Sequence, residues 1–164
     1  MDDWDQRDGK VFTRADVLST AQRSLAAAGA HDRDAWIGLF TADGTIEDPV
    51  GSRPHRGRNA IATFYDTFIG PRAITFRPDG DIVTGTTVIR DVELVIAMSP
   101  TLTLRVPTFI RYELRHDAGA LKLCALSAYW ELPAMAAQFA RSGLAALPSG
   151  VALGRTMLAE QGLA

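Results

Sequence analysis

An α+β fold is predicted by three observations: within residues 13–131, helical spacing of apolar residues lies before Gly70, strand-type composition occupies residues 73–131, and Gly70-Pro71 marks the change. Helices first and strands afterwards place the helices on one face of a curved antiparallel sheet. Such a sheet, wrapped around N-terminal helices, makes a cone with a deep apolar pocket. The chain divides into a polar lead-in over 1–12, this domain over 13–131, and a C-terminal helical extension over 132–164.

The elements follow in order. Thr13 offers an N-cap hydroxyl and Asp16 favours the positive helix end, so a helix is expected over 13–29. Val17, Leu18, Ala21, Leu25 and Ala28 recur on one face until Gly29. A second helix over 32–40 has Asp32 or Asp34 as cap and Trp36, Ile37, Leu39 and Phe40 as its apolar face. Ala42-Asp43-Gly44 reads as a turn into a short strand, Thr45–Asp48. A third helix runs from about Asn59 to Ile69, with Ile61, Phe64, Tyr65 and Phe68 in one stripe.

Beyond residue 72, strands are expected at Ala73–Arg77, Asp81–Val83, Thr86–Met98, Leu102–Leu114 and Leu121–Glu131, all rich in β-branched and apolar residues. The last three, joined by tight connections, form an antiparallel meander. In the extension, Met135, Phe139 and Leu147 make a helical stripe, Pro148-Ser149-Gly150 breaks it, and Val151–Gln161 forms a second helix.

Composition excludes several functions. The chain has 164 residues, 47% hydrophobic and 22% charged, with net charge −2, which suits one globular domain. No basic excess exists to neutralise phosphates, so nucleic acid is not an expected partner. Cys124 is the sole cysteine, so no internal disulfide forms and a cytoplasmic setting is expected. The acidic start carries no apolar run of signal-peptide type, and no stretch is long enough to span a membrane. The histidines His31, His55 and His116 stand apart, without metal-ligand spacing, and His55 reads as a solvated loop residue, or as one near the pocket mouth. No cofactor is expected. Arg90, Asp91 and Glu93 read as part of a solvated or subunit-facing sheet surface, and Cys124 as an inert thiol on the face of Leu126, Ala128 and Trp130.

The most informative string is Ile46-Glu47-Asp48-Pro49-Val50-Gly51. Pro49 stiffens the backbone and directs Asp48 towards extended geometry at a strand end. Facing an apolar cavity, Asp48 would be a desolvated carboxylate with a raised pKa, suited to general base catalysis. Facing water, it is an ordinary turn opener.

Four stretches in sequence are similar to the ketosteroid isomerase-like, SnoaL-like branch of the nuclear transport factor 2-like superfamily. They are Ala30-His31-Asp32-Arg33-Asp34-Ala35-Trp36, the Asp43–Gly51 motif, Arg56-Gly57-Arg58-Asn59-Ala60-Ile61 with Phe64-Tyr65, and Ala128-Tyr129-Trp130. The resemblance covers residues 13–131. It implies a cone fold in which Asp48 moves a proton along a dienolate, with Phe64, Phe68, Leu126 and Trp130 holding a steroid- or polyketide-like substrate. It also implies a homodimer paired through the outer sheet face. In that family the enolate oxygen is held by a tyrosine and a protonated aspartic acid. Here the resemblance puts Ser24 at the tyrosine and Thr108 or Ile110 at the acid, so efficient steroid isomerisation is not expected. Tyr65 could replace the tyrosine's donor, or be a core tyrosine. Three functions follow: an isomerase or cyclase abstracting a proton α to a carbonyl, a non-catalytic protein binding a steroid- or lipid-like ligand in the same pocket, or a purely structural oligomer using the outer sheet face and the C-terminal tail.

Overall fold

The computed structural model describes residues 12–143 together with 151, 154–156 and 159. The expectations for residues 1–11, for Leu147, for Pro148-Ser149-Gly150 and for most of a helix over 151–161 lie outside the described residues.

Helix α1 (Arg14–Gly29) starts on a reciprocal cap, in which the Asp16 N–H donates to Thr13 Oγ1 and the Thr13 N–H donates to Asp16 Oδ2. Its buried face, Val17, Thr20, Ala21, Ser24 and Ala28, lies on the sheet. Helix α2 (Arg33–Gly38) is capped by Asp32, whose Oδ1 accepts from the Ala35 N–H at 3.0 Å. Strands β1 (Phe40–Glu47) and β2 (His55–Arg56) follow, then α3 (Gly57–Phe64), which runs on into a π-helical turn at Tyr65–Ile69. Strands β3 (Ala73–Thr84), β4 (Thr87–Ser99), β5 (Leu102–Asp117) and β6 (Ala120–Tyr129) precede α4 (Leu132–Arg141).

The six strands form one sheet in the order β2-β1-β6-β5-β4-β3. Strands β3 to β6 are an antiparallel meander, and β1 pairs with β6 in parallel. Irregularities at Pro78/Gly80, Ala97/Ser99 and Glu113/Leu114 bend the ladder, as bulges do. On β5 the side chains of Leu102, Leu104, Val106, Thr108, Ile110, Tyr112 and Leu114 are all buried while those between them are more exposed. That alternation identifies the concave face. Most of the core lies between this face and α1 to α3.

A second apolar cluster joins Leu102, Leu104 and Val106 to Met135 of α4. It forms where β6 has ended and leaves β5, still paired with β4, without a neighbour on its other edge. Gln138 substitutes for that neighbour: the Arg105 N–H donates to Gln138 Oε1 at 2.9 Å, and Gln138 Nε2 donates to Arg105 O at 2.6 Å. The extension's first helix is thereby part of the domain wall.

Four sequence expectations shift. The second helix ends at Gly38 instead of residue 40, because Phe40 begins β1. The supposed turn at Ala42-Asp43-Gly44 lies inside β1, absorbed where the register against β6 slips between Phe40 and Thr45. Ala73–Arg77 and Asp81–Val83 are one strand across a bulge, so Pro78-Asp79-Gly80 bends β3 without ending it. Arg90 is not on a solvated surface. It is 2% exposed on the inner face, where Nε and Nη2 donate to the two carboxylate oxygens of Asp81 at 2.6 and 2.8 Å.

Candidate active site

The cone encloses one large apolar cavity. Its volume is ≈ 160 Å³ counted at water centres. One water needs about 10–15 Å³ on that measure, so the space suits a molecule of many heavy atoms. Asp48, Ser24, Phe64 and Phe68 line it, as do Thr108, Ile110, Leu126 and Trp130. Five separate elements and the two segments that follow β1 and β6 thus bring together the residues singled out from sequence, with both Thr108 and Ile110 on the wall. Leu132 and Met135 of α4 complete the lining.

The local sequence explains why Asp48 enters the cavity. The Val50 N–H donates to Ala128 O at 2.8 Å and fastens the turn after β1 onto β6. Glu47 then accepts the Gly51 N–H on Oε1 at 2.6 Å, and the Ser52 N–H donates to Pro49 O at 3.0 Å. Gly51 has φ +97°, a conformation that suits glycine. Of the two adjacent acids, Glu47 therefore holds the turn and Asp48 is left for the pocket.

Asp48 Oδ1 accepts a hydrogen bond from Trp130 Nε1 at 2.5 Å. As a residue Asp48 is only half-buried, but its carboxylate is enclosed. Burial pushes its pKa up; the Trp130 bond and the nearby His55 pull it back by less. This is the state wanted in a base. Trp130→Phe removes an interaction that favours the anion, so the carboxyl rises further. The acid limb of any Asp48-dependent rate profile should then move to higher pH, as a pH series of kcat/KM would record.

Sequence reasoning missed the polar group at the floor. Tyr112 of β5 is fully buried, lies opposite Leu126 of β6 and lines the cavity. Its hydroxyl is enclosed and has no hydrogen-bond partner among the described residues. Ser24, 2% exposed, lies close enough to ease the phenol's ionisation, yet no hydrogen bond of good geometry joins them. Burial dominates, raising the Tyr112 pKa far above its ordinary value, with the Arg90 charge opposing. The phenol stays neutral and remains a donor. The signal was available, since Tyr112 shares the period-two face of Thr108 and Ile110.

Tyr65 does not reach this space. Its ring packs on Trp36 with centroids 5.4 Å apart, and its buried hydroxyl lies towards Asp32, Arg33 and Asp66, away from the lining. It is a core tyrosine, and the tyrosine that lines the cavity is Tyr112. Cys124 also leaves the expected face: the strand slips between Glu113 and Leu114, and its thiol donates to Glu113 O at 3.3 Å. His55 and Trp36, read as loop and core residues, both border the cavity. Among the described residues no three His, Cys, Asp or Glu side chains group to hold a metal ion, and no helix is long and apolar enough to cross a membrane.

Residues 21–120 match the family model of the SnoaL-like domain. The chain belongs to the SnoaL-like family. Within the nuclear transport factor 2-like superfamily its likeness is to the ketosteroid isomerase type. A steroid Δ-isomerase of Nocardioides simplex is 38% identical over 61 residues, 37% of this chain and 50% of that protein. The chain thus matches that curated relative over half of the relative's length. A ketosteroid isomerase of a Mycobacterium species is 28% identical, with a TM-score of 0.64 over 73% of this chain and 95% of that one. A Mycobacterium tuberculosis protein solved with estradiol-17beta-hemisuccinate is 25% identical, with a TM-score of 0.64 over 71% and 95% of the two chains. An LEH-like epoxide hydrolase of M. tuberculosis, 20% identical with a TM-score of 0.66 over 81% and 95%, shares the fold.

Proposed function

We propose that this SnoaL-like protein is a cofactor-independent isomerase or cyclase. Asp48 takes a proton α to a carbonyl of a hydrophobic, steroid- or polyketide-like substrate and returns it at another carbon. The observation that carries the reading is the enclosed Asp48 carboxylate, held by Trp130 inside an apolar cavity large enough for fused rings. Desolvation strengthens it as a base, and Trp130 fixes its orientation.

The developing enolate oxygen needs a donor. Neither Thr108 nor Ile110 can supply a carboxylic acid proton, so the unpartnered Tyr112 hydroxyl, with Ser24 beside it, is assigned that part. Asp48 lies one residue beyond Glu47, which faces Ser127 of β6, and Tyr112 faces Leu126 of the same strand. Two strand spacings and two residues separate their Cα atoms by roughly 12 Å, a gap the two inward side chains narrow to the span of an enone. Tyr112→Phe should lower kcat by about 10²-fold, the usual cost of one oxyanion donor. Thermal stability should not fall with it, because the lost hydroxyl had no partner; a parallel loss of both would mark Tyr112 as structural.

The missing acid favours a second reading, a binding protein for a steroid- or lipid-like ligand with Asp48 as polar anchor. The two separate in one assay. A Δ5-3-ketosteroid should quench Trp130 fluorescence on either reading, but only the enzyme converts it to the conjugated enone, read by absorbance. Quenching without conversion, repeated with polyketide-like ketones, would overturn the catalytic reading. Absence of quenching by every compound would overturn both.

A homodimer and a cytoplasmic setting belong to the same reading. Phe109 and Tyr129, cross-strand neighbours on the outer sheet face, are 52% and 41% exposed, and a second copy would cover them. Sedimentation that gives a monomer at micromolar concentration would remove the dimer.

A further inference from the structure

We propose that α4 closes one end of the cavity and that Met135 sets how far a ligand extends past Asp48, which makes Met135 the residue that selects ligand length. The inference rests on the reading that the cavity takes a hydrophobic carbonyl compound, and deepens it by bounding that compound's apolar part.

Position along β5 is the first argument. The register of β5 against β4 runs unbroken from Leu104 to Tyr112, so distance along this strand measures distance along the cavity wall. Glu47 faces Ser127 of β6, and Ser127 faces Arg111 of β5. Asp48, one residue on, therefore stands level with Ile110. Tyr112 lies two residues to one side of that level. Val106 and Leu104 lie four and six residues to the other, roughly 14 and 20 Å in an extended strand. Both line the cavity, as do Leu94 and Ile96 of the neighbouring strand. They are also the residues on which Met135 packs. A ligand whose carbonyl sits between Tyr112 and Asp48 has this apolar arm for the rest of its skeleton, and α4 stands at the arm's far end. The arm has the scale of a fused tetracycle, not of a single ring.

Anchoring is the second argument. Met135 is buried and lines the cavity together with Leu132, three residues earlier on the same helix face. Gln138, three residues later, bonds both backbone groups of Arg105, the residue between Leu104 and Val106. Phe139 packs against the same cluster. The helix is thus fastened to the strand edge at the level where its methionine meets the arm. A methionine is unbranched and flexible, so it fills the end of the arm without fixing the shape of what it touches. Length is what remains to be selected. Helix α4 also lies beyond residues 21–120, so the SnoaL-like match does not include its two lining residues.

The test measures, by calorimetry, the binding of three ketones with one enone head and no other oxygen: a bicyclic octalone, 4-androsten-3-one and 4-pregnen-3-one. The last adds an ethyl group to the fourth ring of the second. In Met135→Ala the affinity for 4-pregnen-3-one relative to 4-androsten-3-one should rise about tenfold, the scale on which an apolar pocket discriminates a methylene. In Met135→Trp, 4-androsten-3-one should weaken by a similar factor relative to the octalone, whose two rings end short of α4. Gln138→Ala alters no lining residue but releases α4 from β5, and should shift preference towards 4-pregnen-3-one as Met135→Ala does. Leu132 is exposed on one side, so Leu132→Trp keeps the test open if the Met135 variants fail to fold, and it should disfavour the longer ketones. An equal change for all three ketones would mark Met135 as structural. That result, or unchanged ratios in every variant, would overturn this inference and leave the pocket reading standing. No binding of any of the three by the unaltered protein would overturn both.

Discussion

Asp48→Asn should abolish turnover and, at neutral pH, make the protein more stable. The substitution keeps shape, and the amide oxygen can still accept from Trp130 Nε1. It removes the group that takes the proton, and a positioned general base is typically worth about 10²–10⁴ in rate. Ligand quenching of Trp130 should persist, so kcat falls with little change in affinity. The stability gain follows from linkage. Burial raises the folded-state pKa of Asp48 above the value of about 4 it has when unfolded. A carboxyl raised by folding favours the fold while it is protonated, below its unfolded pKa, and that contribution is lost as pH rises through the folded pKa. At neutral pH, above the unfolded pKa, the enclosed carboxyl therefore costs stability that Asn does not. Melts of the two proteins should differ at pH 7 and converge near pH 3. Ordinary turnover by the Asn variant would exclude Asp48 as the base. A lower melting temperature at neutral pH would show that the anion is satisfied in the fold, removing the reason to expect a strengthened base.

What the sequence made legible depended on how locally each feature is specified. The order of helices and meander could be read because capping at Thr13, the Gly70-Pro71 break and the period-two runs are written in adjacent residues. Asp48 was legible for the same reason: Pro49 and Gly51 define its turn within four positions. The parallel pairing of β1 with β6 was not, since it joins Ile46 to Leu126 across eighty residues with no local mark. Arg90 was misread because an arginine between Ile89 and Asp91 looks solvated until β3 bends at Pro78/Gly80 and brings Asp81 onto it. Tyr65 was offered for the cavity and Tyr112 was overlooked, although only the second of the two lines it and its buried face on β5 was readable. Phe64 and Tyr65 are consecutive in the third helix and so point about 100° apart: Phe64 lines the cavity and the Tyr65 ring packs on Trp36. Tyr112 needed only the alternation of its own strand.

Asp81→Asn is expected to be among the most destabilising single changes in the chain. Arg90 is 2% exposed, and its side chain packs between the sheet and α1 with both Asp81 oxygens on Nε and Nη2. Taking one partner from a buried pair leaves an uncompensated charge and costs about 3–5 kcal/mol, far above the 0–1 kcal/mol typical of surface pairs. Urea denaturation should show that loss as a lower midpoint with an unchanged slope. The pair as a whole is worth much less than its breakage. Replacing both members, Asp81→Ala with Arg90→Met, should therefore recover most of the stability, because a buried ion pair and an apolar filling of similar volume are often equivalent. The double variant also reports on function. Arg90 lies near the Tyr112 phenol and opposes the rise that burial imposes on its pKa. Without Arg90 that phenol becomes a weaker acid and a weaker hydrogen-bond donor, so a folded double variant should bind ligand normally and turn over more slowly. A loss below about 1 kcal/mol for Asp81→Asn would mean that water reaches the guanidinium, and that the polar floor of the cavity is open from the α1 side.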